Sequence, residues 1–132
     1  LSDKNEKVKF YKPKNSSHIS HSIINNENFN SDEYIYVEMK DLETIMAELG
    51  HKFIDILKLD IEGSEYKVLR SILLKEDIFI KQIVIEFHHR FGDIGIQQTI
   101  DSIRLLQDKG YLLFAITDTK EEYSFIHKSV II

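Results

Sequence analysis

Phe53-Ile-Asp-Ile-Leu-Lys-Leu-Asp-Ile61, running on into Glu62-Gly63-Ser64-Glu65, decides the fold. Its near-continuous apolar run is that of a strand buried on both faces, the signature of a parallel sheet. The run stops at Asp60, and an acidic turn built on Gly63 leads into a helix that starts near Ser64. Tyr66, Leu69, Ile72 and Leu73 recur at the spacing that gives this helix an inner face.

Outward from this unit the pattern repeats. Ile80 to Phe87 reads as a second buried strand ending in Glu86-Phe87-His88-His89. A helix over roughly 96–109 follows, with Ile96, Ile100, Ile103 and Leu106 inward and Gly110 as its stop. Tyr111 to Ile116 is a further strand, and Tyr123 to Ile131 returns after a polar turn to close the sheet antiparallel at its edge. Upstream, Asp41 caps a helix carrying Leu42, Ile45, Met46 and Leu49 on one face and stopping at Gly50. Tyr34 to Glu38 and a short segment around Val8 to Tyr11, ending before Pro13, have strand composition. Between them, residues 15–32 turn to Asn, Ser and His and read as a polar loop. Strand–helix alternation of this kind predicts a mostly parallel α/β sheet with helices on both faces and an antiparallel closing edge strand.

Length and composition narrow the function. One hundred and thirty-two residues predict a single domain, and 42% hydrophobic content is enough for a core. The net charge of −5 opposes general nucleic-acid binding. The lack of cysteine removes disulfides, thiolate nucleophiles and zinc–thiolate sites. No apolar run reaches the ~20 residues of a membrane span. With no signal peptide at Leu1, the expected location is cytoplasmic.

In open α/β sheets ligands bind beyond the carboxyl ends of the strands. Two strand ends here are dense in ionisable groups: Asp60, Glu62 and Glu65 on one, Glu86, His88 and His89 on the other. Neighbouring strands lie ~5 Å apart, so the two sets would face one crevice. Alternation gives Asp60 and Glu62 one direction, and Glu86 and His88 another shared one. Two plainer readings stand beside this. Asp60 or Ser64 caps the following helix, and Glu65 complements its dipole. An oxygen-rich set of Asp60, Glu62, Glu86 and His88 would also suit Mg²⁺ and a phosphoester chemistry, although no spacing is diagnostic of a metal.

The stretch Asp55 to Leu69, and within it Lys58-Leu-Asp-Ile-Glu-Gly-Ser-Glu65, resembles the signature of the FkbM-type S-adenosylmethionine-dependent methyltransferases. Three looser matches follow the family's order: Leu1-Ser2-Asp3 with Val8 to Tyr11, Val37 to Leu42, and Ile83 to His88. The resemblance implies a Rossmann-like methyltransferase sheet whose fourth and fifth strands are Asp55–Asp60 and Ile80–Phe87. It implies S-adenosylmethionine as cofactor, and as acceptor a hydroxyl of a small molecule or glycan. Asp60 and Glu62 would lie where cofactor and acceptor meet, and Ser2 and Asp3 near the adenine. His88 is the favoured general base, since histidine as a residue type titrates near neutrality; Asp60 or Glu62 is next, and either could instead orient the acceptor.

The family's glycine-rich turn and the acidic end of its second strand have no counterpart here. The five glycines form no G-x-G. The resemblance therefore implies a partial domain over 1–132, lacking the first two strands, that forms the acceptor side of the enzyme. Such a piece is expected to hold the cofactor weakly alone and to self-associate through exposed sheet edges. The rival expectation is a methyltransferase-like module kept for protein association without catalysis.

Overall fold

The computed structural model describes residues 1–13, 29–92 and 94–131. Six strands and three α-helices follow the chain order expected from the pattern. Strands β1 (Glu6–Pro13) and β2 (Phe29–Met39) pair antiparallel as a two-stranded sheet of their own. β1 thus includes Pro13, which sits beyond a register shift at the end of the ladder, where a missing N–H is tolerated. β2 opens at Phe29, paired with Pro13, so residues 29–32 are strand and not loop. The rest of the polar stretch, 15–28, lies outside the described residues.

Helix α1 (Leu42–Leu49) begins where this hairpin ends. Asp41 caps it, accepting the Thr44 amide at 2.9 Å, and Gly50 closes it at φ +69°. Leu42 and Met46 enter the core, but Leu49, the last residue of the helix, is 62% exposed. Asn5 fastens the hairpin to the helix: its side chain accepts the Asp41 amide and donates to Thr44 Oγ1, both at 2.9 Å.

The main sheet contains β3 (Ile54–Leu59), β4 (Ile80–Glu86), β5 (Tyr111–Ile116) and β6 (Glu122–His127), in the order β3-β4-β6-β5. Here the expectation of a mostly parallel sheet is corrected. β3 and β4 run parallel, while β4–β6 and β6–β5 are antiparallel, so the sheet is mixed. Nor is the last strand the edge: β6 turns back from β5 and inserts beside β4, leaving β5 outermost. β6 is also shorter than expected, passing at Lys128–Val130 into a 3₁₀ turn.

Helices α2 (Glu65–Leu73) and α3 (Gly95–Asp108) pack against each other. Val68, Leu69 and Ile72 of α2 and Leu106 of α3 meet Leu59, Ile83, Ile85, Phe87 and Phe125 in one core. α1 joins the same core through Leu42 and Met46, and Lys75, just past α2, ion-pairs with Asp41 and Glu43. The inner face of α2 is the one the spacing predicts. That of α3 is so in part: Leu106 is buried and Ile103 packs against the core, but Ile96 is 52% exposed, and Thr99 and Ser102 are buried as well. Thr99 is admitted because its hydroxyl bonds Tyr66 Oη at 3.1 Å, which removes the cost of burying it.

β3 departs from the doubly buried reading. Asp55, Ile56 and Lys58 are exposed, Ile56 by 60%. An apolar run is as long in an edge strand as in a central one, and β3 is an edge. Register places Ile56, Gln82, Ile126 and Leu112 in one row across the sheet, on the face turned away from Ile83 and Phe125. No described helix is long and apolar enough to cross a membrane.

Candidate active site

The parallel pairing of β3 with β4 puts Leu59 opposite Ile85, so Asp60 and Glu86 leave the sheet side by side. The chain then turns sharply. Glu62 and Gly63 both have positive φ, +54° and +99°. Glycine serves at the second because a Cβ there would stand 3.0 Å from Ile94 Cδ1 and 3.5 Å from Phe91 Cδ2. Those two contacts belong to the loop after β4, so the close approach at Gly63 brings both strand-end loops together.

Glu65 holds the turn. Its side chain is fully buried; Oε1 accepts the Ile61 amide at 2.6 Å and Oε2 the Gly63 amide at 3.0 Å. Ser64 makes no side-chain cap, so the neighbouring carboxylate satisfies the free amides of the turn in its place. The reading of Glu65 as a dipole complement missed this. A carboxylate in a first helical turn is commonplace, and only its complete burial marks it out.

His88 lies across from this turn. Its Nε2 is 3.8 Å from an Asp60 oxygen and 3.8 Å from a Glu62 oxygen, while Nδ1 is 2.9 Å from Glu65 Oε1. The ring is 12% exposed and lies tilted on Phe91 at 5.0 Å. Asp60 and Glu62 are 42% and 46% exposed, so a largely buried imidazole stands beside an open acidic rim. Glu86 completes the rim. Burial, and then the nearby Asp60 carboxylate, raise its pKa above the usual range. Arg90 pins the loop by contacting Glu121 at 2.8 Å and the Thr119 carbonyl at 3.3 Å.

The structure therefore brings Asp60, Glu62 and His88 together, as the expected crevice requires. Ser2 and Asp3 are elsewhere in the bonding pattern. Ser2 is buried, its amide donating to the Lys40 carbonyl at 2.8 Å and its hydroxyl to Asp3 at 3.2 Å. None of their hydrogen bonds or ion pairs reaches Asp60, Glu62 or His88 among the described residues.

Chemically, a neutral imidazole with a free Nε2 can accept a proton, and carboxylates around it can orient a hydroxyl or offset a cation. One ligand atom each from Asp60, Glu86 and His88 lie within 4.8 Å of one another, a mixed N/O set able to hold a divalent ion.

A mixed α/β sheet with ionisable groups clustered at its parallel strand ends is the arrangement in which α/β domains bind ligands beyond their strands. Comparison with known proteins gives the family: residues 2–113 match the methyltransferase FkbM domain, and the chain belongs to that family. It is 29% identical over 106 residues to probable methyltransferase-like protein 24 of Rattus norvegicus, covering 72% of this chain and 29% of that protein. The same protein of Homo sapiens is 29% identical over 102 residues, covering 69% and 28%. Methyltransferase sdnD of Sordaria araneosa is 30% identical over 106 residues, covering 74% and 38%. The chain thus spans less than two-fifths of the length of each of these relatives. No solved structure matches it.

Proposed function

We propose that this region forms the acceptor side of an S-adenosylmethionine-dependent O-methyltransferase acting on a hydroxyl of a small molecule or glycan. The observation that carries the reading is the convergence of Asp60, Glu62 and His88 on one crevice, with Nε2 3.8 Å from both carboxylates. That donor set fits the cofactor, because a sulfonium is a cation and the rim of the crevice is acidic. Bound there, S-adenosylmethionine supplies an electrophilic methyl group that needs no further activation. Asp60 would face the methionine end of the cofactor. Ser2 and Asp3 remain the expected adenine contacts.

The work left to the protein is alignment and proton removal. Asp60 and Glu62 accept hydrogen bonds from the acceptor and orient its hydroxyl. The hydroxyl proton that the acceptor loses on methylation would pass to His88 Nε2. Positioned general bases typically contribute ~10²–10⁴-fold.

The test is transfer of labelled methyl from S-adenosylmethionine into hydroxyl-bearing extract fractions by the full-length protein. His88→Ala is expected to lower turnover by about 10²-fold or more, and Asp60→Asn to impair it as well. Unchanged turnover in both variants overturns the assignment.

A further inference from the structure

Glu65 lies behind the crevice and touches both the turn that carries Asp60 and Glu62 and the ring of His88. It is fully buried, both its oxygens accept backbone amides of the Asp60–Gly63 turn, and the same Oε1 stands 2.9 Å from His88 Nδ1. The contact with Nδ1 is short but off the line of a well-formed hydrogen bond, and Nδ1 is buried with no other partner. That combination restricts the ring. Were Nδ1 bare, its lone pair would face a carboxylate oxygen at contact distance with nothing to relieve the repulsion. With the proton on Nδ1 the positive N–H end of the ring faces the carboxylate, and the contact is attractive as charge against dipole although too bent for a formed hydrogen bond.

We propose that Glu65 is a positioning residue that holds neutral His88 in the Nδ1–H tautomer, so that the Nε2 lone pair points to Asp60, Glu62 and the incoming acceptor. This deepens the methyltransferase reading and rests on it for the use made of Nε2. Without Glu65 the choice reverses. The nearest acceptors left to the ring are Asp60 and Glu62, both 3.8 Å from Nε2, with Glu86 in the same cluster, and the two on Nε2 favour a proton there. A ring protonated at Nε2 cannot take a proton from the acceptor. One carboxylate therefore does two things: it fixes the turn that carries Asp60 and Glu62, and it sets which nitrogen of His88 faces them. A buried carboxylate backing an imidazole is the usual way proteins select a histidine tautomer.

Nitrogen-15 NMR of the His88 ring reads the tautomer in the chain itself, without cofactor or acceptor. At a pH where the ring is neutral, the expected pattern is a protonated Nδ1 and a bare Nε2. Glu65→Met, which keeps the length and removes the acceptor, is expected to shift the population to Nε2–H. Glu65→Gln, whose amide oxygen can still face Nδ1, is expected to retain the Nδ1–H form. A wild-type ring protonated at Nε2, or a Glu65→Met spectrum like wild type, overturns the proposal. Should Glu65→Met fail to fold, the wild-type spectrum and Glu65→Gln decide it. Turnover of His88→Ala tests the base separately, so failure of the methyltransferase reading is distinguishable from failure of the tautomer.

Discussion

Gly63 shows how one backbone position couples the two halves of the site. Its φ of +99° lies where side-chain-bearing residues are strained, and the space a Cβ would need is taken by Ile94 and Phe91. Gly63→Ala combines strain with crowding, and a residue held in such a region costs of order 1–3 kcal/mol. The expected outcome in urea unfolding is a loss of stability of about that size. Because the displaced neighbours carry the loop that holds His88, the variant should also lose methyl transfer in the full-length protein. Gly50, where nothing lies within 4 Å of an added Cβ, provides the contrast: Gly50→Ala meets the strain alone and leaves the crevice untouched.

Helix α1 depends on the charge of its cap. Hydrogen bonds from Thr44, then the Lys75 ammonium, hold the Asp41 carboxyl below its ordinary value of 3.8. A carboxylate with a depressed native pKa contributes stability that is fully present above the unfolded value and is lost as pH falls through the native one. Asp41→Ala is therefore expected to cost ~0.5–2 kcal/mol at pH 7. The difference between variant and wild type should close in denaturation curves taken below pH 3.8. A difference that stays constant with pH would assign the effect to packing instead. Asp41 and Gly50 were legible in the sequence because caps are local chemistry, and so was the inner face of α2, because its apolar spacing is regular. Leu49 and Ile96 continued a helical stripe in the sequence, but they stand at helix ends, the last residue of α1 and the second of α3, and are exposed. Thr99 was invisible for the opposite reason, since its burial depends on a hydroxyl partner 33 residues away. The convergence of Asp60 with His88 could be read from two strand ends. The buckle made by Glu65 could not, since it requires knowing that a first-turn carboxylate is sealed from water.

Strand order is the least local property of the chain, and it governs how the domain meets its surroundings. The insertion of β6 beside β4 leaves β3 and β5 as the two edges of the sheet. Across the face opposite the helices, Ile56 and Leu112 flank Gln82 and Ile126, and the two flanking residues are 60% and 49% exposed. Phe53, just before β3, and Phe114, at the bulge in β5, add exposed aromatic surface at both edges. Exposed apolar edges favour pairing with another strand, whereas charges on them oppose it. β3 carries both kinds of residue: Ile56 stands beside Asp55, tied to Lys81 at 2.6 Å, and near Lys58, which faces Glu122 at 3.8 Å. The ion pairs neutralise the charges that would otherwise guard the strand, so the apolar contribution prevails. The 132-residue chain is therefore expected to self-associate, its weight-average mass in sedimentation velocity rising above 15.5 kDa with concentration. Ile56→Lys and Leu112→Lys, each placing an unpaired cation in the apolar row, should hold it near the monomer mass. A wild-type chain that stays at 15.5 kDa over the same concentrations would mean that Lys58 and Lys81 already suffice to blunt the edge.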